Sequence, residues 1–131
     1  MRLITRNADY AIRALCFIAR AGNKTVSVTQ LVKRLNVPRP FLRKVLQILN
    51  RSALLLSHKG KGGGFELARD PERIRVTDIL EIFQGPLKLN ECLLKKKKCP
   101  NRDVCPLKKK IDRIEAQALK ELRAITIGSL L

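Results

Sequence analysis

The chain has 131 residues, 28 of them Lys or Arg against 11 Asp or Glu, for a formal net charge of +17. That length bounds it to one domain, or one small domain with a long appendage, and that charge predicts a polyanionic partner and argues against an acidic-surfaced electron carrier. No run approaches the roughly eighteen apolar residues a membrane span needs, and the amphipathic opening does not read as a signal peptide, so a cytoplasmic protein with reduced thiols is expected.

The distribution of charge says more than the total. Between Asp9 and Glu66 there is no carboxylate, whereas eleven Lys and Arg residues lie from Arg13 to Lys61. A solvated face normally mixes signs, so a one-sign stretch of this length points to nucleic acid, with an acidic membrane a distant second. The five aromatics are not read as interleaved with the basic residues, which argues against a stacking platform for single strands.

Residues 4–20 read as a helix with Ile4, Ala8, Ala11, Ile12, Leu15, Ile18 and Ala19 on its apolar side, and Cys16 as a small core residue. Ser27 with Gln30 three residues on is a capping box. It starts a short helix whose buried positions are Leu31 and Leu35, broken by Asn36-Val37-Pro38. Pro40 opens the next helix, which runs to about residue 50–52 with Leu42, Val45, Leu46 and Leu49 inward and Arg39, Arg43, Lys44, Gln47 and Arg51 outward. Helix, short turn, helix, with a basic and amide outer face on the second, is a helix-turn-helix pattern. Arg39 and Arg43, four apart, point the same way; such side chains fork onto guanine O6 and N7, and Gln47 suits adenine.

Two short apolar runs, Leu54–Leu56 and Phe65–Leu67, flank a glycine-rich basic tip and read as a β-hairpin, the wing of a winged helix. Lys59 and Lys61 supply charge for phosphate or the minor groove, and His58, the single histidine, is expected to touch DNA or solvent, not metal. The glycines lack the order of a phosphate-binding P-loop. Asp70-Pro71-Glu72 is a turn, and residues 76–84 make a short helix with Ile79, Leu80 and Phe83 inward, closed by Gly85-Pro86. From Pro106 the pattern is helical almost to the end, with Leu107, Ile111, Ile114, Ala118, Leu122 and Ile125 at threes and fours. About twenty-two residues give roughly 33 Å, too long to pack wholly on so small a domain. The stripe should pair with the same helix of a second subunit, as suits a homodimer reading a two-fold site in double-stranded DNA.

Between these helices lie Cys92, Cys99 and Cys105, spaced C-x6-C-x5-C. An odd set of thiols in one segment forms no closed disulfide framework. Three thiols can converge on one inorganic centre and leave a fourth position for another residue or an exchangeable group. The spacing is not that of a zinc finger and is loose enough to wrap a cluster larger than one ion. No paired carboxylates, nucleophile with base, or cofactor fingerprint points to an enzyme, and no catalytic residue is assigned.

A winged helix opening on Met1-Arg2-Leu3, with Gly-x-Gly-Gly-Gly-Phe in its wing (Gly60–Phe65) and three cysteines before a long helix, resembles the bacterial transcription regulators typified by IscR, NsrR and RirA over essentially the whole chain. The resemblance implies a DNA-binding regulator with an iron–sulfur cluster on Cys92, Cys99 and Cys105 whose state changes DNA affinity. The first cysteine pair is one residue farther apart than in IscR and NsrR. Lys108 stands where IscR-like members place a histidine ligand, whereas Asp9, in Asn-Ala-Asp-Tyr-Ala, matches the acid that NsrR-like members contribute across the dimer. That favours a 4Fe–4S cluster with Asp9 as fourth ligand, a 2Fe–2S cluster being the other form. The competing reading is a cluster-free winged-helix repressor using the cysteines as a thiol redox switch.

The expected fold is therefore mainly α with a small β-hairpin. Residues 1–85 form a winged helix-turn-helix DNA-binding domain, 86–105 a cysteine loop, and 106–131 a dimerisation helix.

Overall fold

The structure, a computed structural model, describes residues 3–89 and 105–131. Its first helix, α1 (Arg6–Arg20), is the centre of the molecule. Ala8, Ala11 and Ala14 are buried with Leu15 and Ile18, and these small side chains let α2 (Val28–Leu35), α3 (Arg39–Arg51) and α4 (Val76–Gln84) all approach one helix. Thr5 caps α1, its hydroxyl accepting from the Ala8 N–H at 3.4 Å. Ile4, expected on the apolar stripe, precedes the helix and is exposed. Cys16 is buried in the core, where desolvation raises its thiol pKa against a weaker opposing pull from Arg20.

The Ser27–Gln30 capping box forms in both directions. The Gln30 N–H donates to Ser27 Oγ at 3.2 Å, and the Ser27 N–H donates to Gln30 Oε1 at 2.9 Å. Asn36 ends α2 in the left-handed region at φ 53°, which Asn tolerates better than most residues. Leu42, Val45, Leu46 and Leu49 bury the inner face of α3 against α1 and α2, as their spacing predicts. Burying each such side chain stabilises by about 1.5–3 kcal/mol relative to exposure.

Strands β1 (Leu55–His58) and β2 (Gly64–Leu67) form an antiparallel hairpin with Leu55 opposite Leu67 and His58 opposite Gly64. Val26, between α1 and α2, joins as a one-residue third strand: it exchanges two backbone bonds of 2.8 Å with Phe65. A Cβ on Gly64 would fall on the Val26 carbonyl, so glycine at this position lets the hairpin lie flush on the α1–α2 connection.

A 3₁₀ turn (Pro71–Arg73), capped by Asp70, leads into α4. The last helix, α5 (Pro106–Arg123), stops short of the expected extent. Ile125-Thr126-Ile127 is a β-branched run that favours extended backbone. Thr126 and Ser129 hydroxyls capture each other's N–H groups at 3.0 Å, competing with helix continuation. The tail instead pairs with the α4 approach: the Val76 N–H donates to the Ile125 carbonyl at 2.9 Å and the Ile127 N–H to the Ile74 carbonyl at 2.8 Å. Ile127 is fully buried in the main core, while Leu122 joins Ala8, Val76 and Leu80 in a second cluster along the α1–α4–α5 seam. Farther up α5, Leu107 and Ile114 are exposed. No helix of the described residues is long and apolar enough to cross a membrane.

Candidate nucleic-acid interface and cysteine segment

The outer face of α3 is built by the same periodicity that buries its inner face. With four apolar residues committed to the core, Arg39, Arg43, Lys44, Gln47 and Arg51 are all exposed. Arg39 is steadied by α2, its guanidinium donating to Thr29 Oγ1 at 3.1 Å. No side chain caps the α3 N-terminus and its first turn holds no acid. The Arg39 and Phe41 N–H groups and the positive end of the helix dipole therefore suit an anion such as a phosphate, whereas Pro40 has no N–H and the Leu42 N–H donates to the Pro38 carbonyl. Lys33 and Arg34 on α2 are also exposed, so both helices of the motif present positive charge.

The wing carries exposed Lys59 and Lys61 between β1 and β2. Its connecting loop is held by the Thr25 hydroxyl donating to the Gly62 carbonyl at 3.1 Å. His58 is committed within the hairpin: Nε2 lies 2.9 Å from Glu66 Oε1, diagonally across the strands. A His58 contact to DNA would thus be made by a ring already oriented by Glu66.

One exposed aromatic adjoins this cationic face on its Lys44 side, against the sequence reading. Phe41 stands between Arg39 and Arg43 in the first turn of α3, 56% exposed. The helical register places it on the shoulder of the outer face, a position that the spacing of the buried leucines already implies.

Asp9 sits in the first turn of α1, where the helix dipole favours a carboxylate, and pairs with Arg13 through a 3.0 Å contact between Oδ2 and Nε. Cys105 immediately precedes α5, half-buried, with a free thiol and no capping hydrogen bond. Cys92 and Cys99 lie outside the described residues, as do Lys95 to Lys98. Among the described residues no three His, Cys, Asp or Glu side chains are gathered as a metal site. Lys108 Nζ donates to Asp112 Oδ2 at 2.7 Å, an exposed ion pair one helical turn apart on α5.

Two contacts missed by sequence reasoning tie the flanks of the cysteine segment to the fold. At the end of α4, Gln84 clasps the chain ahead of α1: its Oε1 accepts from the Thr5 N–H at 2.9 Å and its Nε2 donates to the Leu3 carbonyl at 3.0 Å. Farther on, the Leu89 N–H donates to Glu115 Oε2 on α5 at 3.1 Å. Both join residues far apart in the chain, and no local pattern signals them.

The Rrf2 family profile, described as iron-dependent transcriptional regulator, matches residues 4–131. The NsrR transcriptional regulator of Halalkalibacterium halodurans is 30% identical over 130 residues, covering 98% of this chain and 89% of that protein. Among solved structures, CymR, the global cysteine regulator of B. subtilis, superposes with a TM-score of 0.84 at 23% identity, covering 99% of this chain and 96% of that one. IscR of T. potens superposes with a TM-score of 0.75, also at 23% identity, covering 97% of this chain and 84% of that one. These likenesses support the winged-helix architecture, and the family's members are regulators, not enzymes. With its basic α3 face, its wing and a profile match running to the last residue, the chain belongs to the Rrf2 family of DNA-binding transcriptional regulators.

Proposed function

We propose that this regulator binds a palindromic operator as a homodimer and senses redox state, nitric oxide or iron supply through an iron–sulfur cluster on Cys92, Cys99 and Cys105. The DNA half of the proposal is carried by the exposed cationic face of α3, with Arg39, Arg43, Lys44 and Gln47 directed at bases and Lys59, Lys61 and His58 of the wing at the adjacent groove or backbone. The domain plan remains that of residues 1–85 reading DNA, 86–105 holding the cluster and 106–131 serving dimerisation. Exposed Leu107 and Ile114 on α5 support a partner helix there.

The donor set fits a cluster. Three thiols occupy fourteen residues, and the lysines between and after them in the sequence would offset an anionic centre. Asp9 is our candidate for the fourth ligand of a 4Fe–4S cluster. Recruiting it means parting it from Arg13, and the exposure of that ion pair keeps the cost small. A carboxylate binds iron less tightly than thiolate does, which suits a site that must respond. Loss or alteration of the cluster would then bias how α1 and α3 sit, because α3 packs directly on α1.

The test is anaerobic purification with visible spectroscopy, iron and sulfide analysis, and DNA binding before and after chelation. About four iron and four sulfide per chain support the 4Fe–4S form, and about two of each the 2Fe–2S form. An Asp9→Ala variant should bind DNA normally as apoprotein while its cluster decays faster. An unchanged cluster lifetime removes Asp9 from the site. Colourless protein that resists reconstitution yet binds DNA ends the cluster reading and leaves the thiol switch.

A further inference from the structure

We propose that Phe41 reads the 5-methyl group of thymine in the operator and is a specificity-determining residue of the α3 face. The inference deepens the reading above, since it rests on α3 being the helix that enters the major groove.

Single exposed apolar side chains are ordinary on protein surfaces, so exposure alone argues little. Position argues more. Phe41 is the third residue of α3, and the N-terminal residues of a recognition helix are those that reach base edges. Its neighbours Arg39, Arg43 and Lys44 are exposed cations, and no carboxylate lies near it in the sequence from residue 10 to 65. In this first turn the cations suit phosphate oxygens and guanine acceptors. None of them complements the methyl by which the major groove distinguishes thymine, and an aromatic edge does so. Phe41 and Lys44 are three apart on one helix face, so a methyl contact and a phosphate or base contact can be made together. The backbone is stiffened just ahead of the ring by Pro38 and Pro40, which limits the entropy lost when the first turn docks.

Removing one methyl from an apolar contact corresponds to about a fourfold loss in affinity. Operator duplexes selected from a random double-stranded library with the full native chain would be resynthesised with uracil at single thymine positions, which deletes the methyl and leaves base pairing unchanged. Native protein should lose about fourfold at one or more thymines per half-site. Phe41→Ala should bind the thymine duplex more weakly and be indifferent to uracil at those positions, with Phe41→Leu between the two. Because the side chain is exposed, both variants should keep the native circular dichroism spectrum. The assignment is overturned if Phe41→Ala keeps native affinity, or weakens but retains full sensitivity to uracil. Arg43→Ala separates the two layers: if it loses affinity while Phe41→Ala does not, only the thymine contact fails. If neither variant loses affinity, α3 is not the reading helix and the underlying proposal fails with it.

Discussion

Ile127→Ala should be among the most destabilising substitutions in the C-terminal eight residues, although the position lies four residues from the end of the chain. The side chain is 0% exposed and belongs to the same core cluster as Leu15, Leu46 and Ile74. Truncation removes three carbon atoms, about 2.4 kcal/mol at roughly 0.8 kcal/mol for each. A cavity that closes only partly adds to this, for a total loss of about 3–4 kcal/mol. The two backbone bonds that hold residues 125–127 against 74–76 should weaken with it, freeing the end of α5. Urea denaturation followed by circular dichroism, at fixed protein concentration, measures the loss as a lower midpoint. Leu130→Ala, at a side chain 42% exposed, is the control and should cost less than about 1 kcal/mol. Equal effects of the two substitutions, or a loss below about 1 kcal/mol for Ile127→Ala, would refute the seating of the tail in the core.

Gly64→Ala drives a methyl onto the Val26 carbonyl and should break the Val26–Phe65 bridge, at a cost of roughly 2 kcal/mol. Faster amide exchange at Val26 and Phe65 reports it, and unchanged exchange contradicts it. Gln84→Ala removes both clasp bonds and should speed exchange at the Thr5 amide while lowering stability by about 1–2 kcal/mol; native exchange at Thr5 would show the clasp to be idle. Cys16 should resist alkylation in the native protein under conditions that modify Cys105, because it is buried and its thiol is pushed up by desolvation. The unfolded thiol ionises first as pH rises. The stability Cys16 contributes is therefore present below the ordinary thiol range and lost as pH climbs through its raised folded value. Cys16→Val should flatten that alkaline limb, and an unaltered limb would assign the slope to other groups.

The sequence by itself determined the five helices, the hairpin and the character of the DNA-facing surface, because each rests on a local rule. Leu42, Val45, Leu46 and Leu49 recur at helical spacing, so their burial and the outward turn of Arg39, Arg43, Lys44 and Gln47 are one fact seen from two sides. Ser27 and Gln30 lie three apart and cap each other, and Gly85-Pro86 ends α4 at Gln84 as read. Phe41 was equally legible from that spacing.

Only the tertiary structure decided where the remaining polar and terminal groups go. Ile125 fits the α5 stripe at helical spacing and Ile127 lies just past it. Their departure from the helix becomes favourable only because Ile74 and Val76, some fifty residues earlier, offer backbone partners and the core takes in Ile127. The Gln84 clasp on Leu3 and Thr5, the Arg39 bond to Thr29 and the His58 pairing with Glu66 likewise depend on groups brought together by packing. Periodicity reports which face of an element is buried. The partner waiting at that face is set by the three-dimensional arrangement of the whole chain.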